Sequence, residues 1–194
     1  MKKIVLASSS PRRIEMMRKN GYEPLIRPAD IDETLPIQMS PEAATMYLAF
    51  KKASFINSKE NNSSNEGLLI IAADTVVVYD SRIIGKPADM NEAFNTLIKL
   101  RNSSHKVITG VCMIDSENNT KECFCSVTEV FFKDFSEKEL IEYVNTPEPY
   151  DKAGGYAIQG TFGKYVDHID GDYDNVVGFP CKQIHDRLKE LYKG

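Results

Sequence analysis

One stretch constrains this chain more than any other: Leu68-Leu69-Ile70-Ile71-Ala72-Ala73-Asp74-Thr75-Val76-Val77-Val78-Tyr79. So continuous an apolar run predicts a central strand covered on both faces rather than a half-solvated one. An aspartate in its middle is costly unless it is paired, hydrogen-bonded or bound to a metal. Asp74 is therefore the foremost candidate for a chemical residue. The plainer alternative is a carboxylate that ends the strand and caps a neighbouring turn.

A second rule is broken near the start. Ile4 to Ala7 reads as a short buried strand, and Ser10-Pro11 then reads as a helix start with serine as N-cap. The helix passes through Ile14 and Met17 and stops near Gly21. Arg12 and Arg13 fall in its first turn, where free N–H groups already give partial positive charge. An anion such as a phosphate, met by serine hydroxyls, backbone N–H groups and both guanidiniums, would relieve that conflict. Two solvated arginines pairing with Glu15 or another surface acid would relieve it too.

The remaining elements follow from local grammar. Residues 22–39 read as loop and short extended pieces carrying Asp30, Asp32 and Glu33, either a solvated acidic loop or donors for a hard divalent cation. Ser40-Pro41-Glu42 opens a helix to about Ser58, with Ala43, Tyr47, Phe50 and Ala53 expected on its buried stripe. Lys51 and Lys52 read as surface residues there. Lys59 to Gly67 is a polar, insertion-tolerant loop. Asp80-Ser81 predicts a hairpin turn returning through Ile83-Ile84, and Asn91 to Leu100 a short amphipathic helix. His105 to Ile114 and Glu122 to Phe132 predict a second hairpin. Ser136 to Glu139 is a capping box. Tyr165 to Ile169 is strand-like, and a last helix runs from about Cys181 to Tyr192. Gly155 and Gly160 have the gap of a Walker loop, but Thr161-Phe162 stand where Lys-Ser/Thr would be needed.

Composition narrows the function. At 194 residues and 42% hydrophobic content the chain suffices for one well-packed domain. A net charge of -4 argues against a general nucleic-acid binder, which needs a basic excess. No stretch approaches membrane-spanning length, and too few apolar residues follow Lys2-Lys3 for a signal peptide. Four cysteines without export signal or CxxC spacing are expected to be reduced thiols rather than zinc ligands, which points to the cytoplasm.

Taken in order, Ser8-Ser9-Ser10-Pro11-Arg12-Arg13, Ile31-Asp32-Glu33, Lys52-Ala53, Ala73-Asp74-Thr75, Gly85-Lys86-Pro87, Thr109-Gly110-Val111, Glu148 to Gly154, Ile158-Gln159-Gly160 and Asn175-Val176-Val177-Gly178 resemble the Maf family of nucleotide pyrophosphatases over nearly the whole chain. The resemblance implies an α/β fold like that of the inosine-triphosphate pyrophosphatases. That fold has a long mixed β-sheet with flanking helices and two lobes around a cleft, and residues 1–194 would form a single such domain. It also implies hydrolysis of a nucleoside triphosphate to monophosphate and pyrophosphate with Mg2+ or Mn2+. Ile158-Gln159-Gly160 resembles the branch acting on dTTP and UTP, modified pyrimidine nucleotides included. Family members have also been linked to septum formation.

Carried over residue by residue, Ser8, Arg12 and Arg13 would hold triphosphate oxygens, and Lys52 and Lys86 would offset charge on the leaving pyrophosphate. Glu33 would ligate the metal, and Asp74 would be the general base and touch the metal as well. Arg12, Thr75 and Gln159 fall at specificity positions, where a glutamine amide suits the alternating donors and acceptors of uracil or thymine. Ser9 where glycine is frequent and Phe179 where leucine is usual are mild departures. A homodimer is compatible with the sequence. Two other functions stay open: a non-catalytic nucleotide-binding regulator of division, and a purine-type ITP/XTP pyrophosphatase.

Overall fold

The computed structural model describes residues 2–60 and 67–191. The core of the expected polar loop (61–66) and Tyr192 lie outside them. Its strands are β1 (Lys3–Leu6), β2 (Leu25–Ile26), β3 (Leu68–Tyr79), β4 (Arg82–Ile84), β5 (Ser104–Asp115), β6 (Thr120–Phe132) and β7 (Val166–Asp170). The helices are α1 (Pro11–Lys19), α2 (Pro41–Glu60), α3 (Met90–Leu100), α4 (Glu137–Val144), α5 (Tyr173–Val177) and α6 (Cys181–Leu191). The strands order as β2-β1-β3-β5-β6-β7, with β4 pairing β3. β1 runs parallel to β2 and β3, whereas β3–β4 and β6–β7 are antiparallel, so the sheet is mixed as expected. The apolar run coincides with β3, which has neighbours on both sides.

The chain divides into two compact units, Met1–Thr75 with Thr109–Ser126 and Gly178–Gly194, and Val76–Ile108 with Val127–Val177. The first has an aliphatic core in which Val5, Ile70 and Ala72 of the strands meet Ala49, Ala53 and Ile56 of α2. The second is built around aromatic rings: Phe162 lies 5.1 Å from Phe135 and 4.8 Å from Tyr165, centroid to centroid, in edge-on pairings. Ala93, Leu97 and Leu100 of α3 close that cluster.

Local signals explain most boundaries. Asp80 and Ser81 have φ of +48° and +60°, the left-handed pair that a two-residue hairpin needs. The capping box at α4 is complete: the Ser136 hydroxyl accepts from the Glu139 N–H, and the Glu139 carboxylate accepts from the Ser136 N–H. Those bonds pull the Glu139 carboxyl down to about 2, with the Ser136 backbone N–H the largest cause. Ser10 does take the N-cap position of α1, but its hydroxyl makes no capping bond. Ser8 instead accepts the Ser10 N–H at 3.2 Å. No described helix is long and apolar enough to cross a membrane.

The expected stripe on α2 needs correction. The buried face carries Ala44, Thr45, Leu48, Ala49, Ala53 and Ile56, while Ala43 and Tyr47 are half-buried and Phe50 is 36% exposed under the Lys121 ammonium. The reason is close approach. A Cβ on Gly110 of β5 would lie 2.3 Å from the Thr45 carbonyl carbon and 2.4 Å from the Met46 nitrogen, so the helix backbone packs directly on the strand there and leaves no room for a side chain at 110. Gly110→Ala is therefore expected to lower unfolding free energy by about 1–3 kcal/mol through overpacking, read by urea denaturation. An unchanged midpoint would show that α2 moves away freely.

Candidate active site

Asp74 lies in β3 next to the last residue that strand gives to the first unit, and its side chain is 12% exposed. It is neither unpaired nor a turn cap. Lys52 of α2 donates from Nζ to Asp74 Oδ1 at 2.6 Å, and the same ammonium lies 2.7 Å from Glu33 Oε1. Lys52, expected on the surface by pattern alone, thus joins both carboxylates. Glu33 is brought there by its loop. Asp32 Oδ1 accepts from the Thr34 N–H at 2.9 Å and from the Thr34 hydroxyl at 2.6 Å, closing a tight turn. Lys51 donates to the Asp32 carbonyl, tying that turn to α2. The Thr34 hydroxyl and N–H also hold the Asp32 carboxyl below its ordinary value.

Arg12 and Arg13 are adjacent in sequence but unlike in surroundings. Arg13 turns inward: Nε donates to the Gly178 carbonyl at 3.0 Å and Nη1 to the Ala73 carbonyl at 2.7 Å. Nη1 also donates to Ser8 Oγ at 3.4 Å and Nη2 to Thr75 Oγ1 at 3.1 Å. Burial lowers its pKa, while the charges of Asp74 and Glu33 act in the opposite direction. Arg12 is half-buried and, among the described residues, makes no hydrogen bond or ion pair. Its guanidinium remains available at the start of α1.

Ser8 Oγ accepts from both the Ser10 N–H and Arg13, which leaves its own hydrogen to donate. Thr75 Oγ1 lies 2.9 Å from Thr109 Oγ1 on β5 and 3.4 Å from the Gly178 carbonyl. No role was expected for Thr109 or Gly178. Thr109 is wholly buried in an apolar strand, the same signal that singled out Asp74. Gly178 has a φ of +108°, which brings its carbonyl to Arg13.

The second unit holds Lys86 and Gln159, both exposed. The Gly154 N–H donates to the Gly85 carbonyl at 3.0 Å, which fixes the loop preceding Lys86. Gln159 lies in a turn closed by Gly160 N–H to the Ala157 carbonyl at 3.0 Å, and the Glu148 carboxylate accepts from the next N–H, of Thr161, at 3.0 Å. Buried Asn175 donates to the Val107 carbonyl at 3.0 Å and to Thr128 Oγ1 at 2.9 Å, so its part is structural.

Chemically, the first unit assembles two carboxylates against two cations, with Arg12 the further positive charge. That leaves little to balance the about four negative charges of a triphosphate. Among the described residues no cluster of three or more His, Cys, Asp or Glu side chains could hold a metal alone. Two converging carboxylates nevertheless suit Mg2+ or Mn2+, which are commonly bound by one or two carboxylates together with substrate phosphates. The donor set of Glu33 and Asp74 fits such an ion.

A family model described as Maf-like protein matches residues 3–191. A protein of Caldicellulosiruptor bescii named dTTP/UTP pyrophosphatase is 42% identical over 98% of this chain and 96% of its own length. One of the same name from Exiguobacterium sibiricum is 43% identical over 96% of this chain and 91% of its own. A solved structure, a nucleoside-triphosphatase / dITP/XTP pyrophosphatase of Mycobacterium abscessus, aligns with a TM-score of 0.42 and 14% identity over 67% of this chain and 74% of that one, too slight a likeness to argue from. By the extent of the family match and the identity to these relatives, the chain belongs to the Maf-like protein family.

Proposed function

We propose that this chain is a single-domain nucleoside triphosphate pyrophosphatase that hydrolyses dTTP and UTP to the monophosphate and pyrophosphate with Mg2+ or Mn2+. The observation that carries the reading is the Asp74 carboxylate, enclosed in β3 yet joined by one ammonium to a second carboxylate on a loop. Relatives named for this activity support it along nearly the whole chain.

In this reading Asp74 takes the proton from the attacking water at a carboxylate oxygen. The Ser8 hydroxyl and the Arg12 guanidinium hold phosphate oxygens. Lys52 and Lys86 offset the charge that gathers on departing pyrophosphate as the anhydride bond between the α- and β-phosphoryl groups breaks. Glu33 and Asp74 would hold the divalent cation, which when bound supplies Lewis acidity and screens the phosphate charge. Thr75 and Gln159 set which base is accepted. The substrate is a free cytoplasmic nucleotide rather than nucleic acid, consistent with the acidic balance of the chain.

The test is a nucleotide panel (dTTP, UTP, CTP, GTP, ITP and XTP) with Mg2+ or Mn2+, scoring pyrophosphate, orthophosphate and monophosphate. Equal amounts of monophosphate and pyrophosphate from dTTP and UTP are expected. Preference for ITP or XTP would make the chain a purine-type enzyme, and nucleotide binding without turnover would make it a regulator. Either result overturns the proposal.

A further inference from the structure

Most of the donors of Arg13 are spent inside the protein rather than on a phosphate. A guanidinium has five N–H donors, and Arg13 directs them to Gly178, Ala73, Ser8 and Thr75, which leaves one. A threonine hydroxyl has one hydrogen and two acceptor sites. If Thr75 donates to the Gly178 carbonyl, it accepts from Arg13 and from Thr109, and its capacity is exhausted. These contacts fall on both sides of Asp74. Ala73 is gripped by its backbone carbonyl and Thr75 by its hydroxyl, and in a strand the Thr75 side chain lies on the face opposite that of Asp74.

We propose that Arg13 and Thr109 are positioning residues. Together they fix the β3 backbone on either side of Asp74 and hold the Thr75 hydroxyl, and neither the four engaged N–H groups of Arg13 nor that hydroxyl donates a hydrogen bond to the nucleotide. The influence of Thr75 on base choice then comes from the place and shape of its side chain. Arg12 is the phosphate-binding member of the arginine pair. This assignment rests on the pyrophosphatase reading for its kinetic consequences but not for its geometry.

The geometry explains why lysine should not replace Arg13. A lysine keeps the charge, but a single ammonium cannot span two carbonyls and two hydroxyls in the planar spread of a guanidinium. Arg13→Lys is expected to lower kcat for dTTP by about tenfold to a hundredfold, as misplacement of a catalytic group does, with KM changed by less than about twofold. Thr109→Val, which keeps the shape but removes the hydroxyl, should move kcat in the same direction by a smaller factor. A phosphate ligand behaves otherwise: Arg13→Lys would retain kcat and raise KM, and that result would overturn the assignment.

A measurement on the unaltered protein guards against misfolded variants and against failure of the pyrophosphatase reading. In 15N NMR spectra the Arg13 Nε–H should exchange slowly with solvent before any ligand is present, and addition of inorganic pyrophosphate with Mg2+ should leave its rate unchanged. The Arg12 Nε–H should exchange fast and become protected. Protection of Arg13 that arises only with pyrophosphate would overturn the proposal. Absence of turnover with every nucleotide, beside a slowly exchanging Arg13, would remove the function and leave the positioning role intact.

Discussion

Asp74→Asn is expected to fold, to bind dTTP or UTP, and to turn them over roughly a hundredfold more slowly or worse. The fold should survive because asparagine has the same size, and its carbonyl oxygen can still accept from Lys52 across the 2.6 Å contact. Lys52 also keeps Glu33 as a partner at 2.7 Å, so its ammonium is not left uncompensated. What disappears is the carboxylate proposed to take the proton, and with it one unit of negative charge. Calorimetric affinity and pyrophosphate release at saturating nucleotide separate the two effects. Near-normal turnover would move Asp74 out of catalysis and turn the search for a base to Glu33, the other carboxylate on Lys52, or to Asp151.

The residues that were legible in the sequence are those whose reasons are local. The bounds of β3 follow from an uninterrupted apolar run, the hairpin at Asp80-Ser81 from turn chemistry, and the start of α4 from a reciprocal box spanning four residues. Asp74 stood out because a charge in an apolar strand must have a partner. Its partner stood out only through the family resemblance, since nothing in local pattern distinguishes Lys52 from the adjacent Lys51. The stripe of α2 was misplaced for a related reason. Aromatic bulk suggested Phe50, yet the helix backbone at Thr45 and Met46 packs directly on Gly110, more than sixty residues further along the chain, and that contact sets which face of α2 is buried.

The arginine pair shows the same division at finer scale. That two cations in a first turn oppose the helix field is visible locally. The relief for Arg13 comes from carbonyls at Ala73 and Gly178, which only the folded chain brings to it. Local grammar could therefore flag the conflict but could not divide the pair into one arginine turned inward and one left open. Thr109 fell inside a motif of the resemblance, but no role for its hydroxyl followed from it. A threonine in a β-rich run satisfies strand propensity, so nothing in the pattern asks for its hydroxyl.

Removal of divalent cations with excess chelator is expected to abolish turnover, and Mg2+ or Mn2+ should restore it. Lys52→Met sharpens the test with a readout independent of activity. Without the ammonium, Glu33 and Asp74 face each other with no cation between them, and Asp74 is too buried for water to offset the loss fully. Glu33 is 58% exposed, so the penalty falls below that of a fully buried pair: about 2 kcal/mol, or a Tm lower by about 4–8 °C in chelator. Mg2+ at millimolar concentration should then raise the Tm of the variant more than that of the natural protein, because the ion enters a site that Lys52 no longer occupies. Under the proposed role of Lys52 in offsetting charge on the departing pyrophosphate, turnover should nevertheless stay roughly a hundredfold down. Equal stabilisation of both proteins by Mg2+ would place the ion elsewhere than Glu33 and Asp74. Full activity in chelator would show that the cations of the protein alone suffice for the triphosphate.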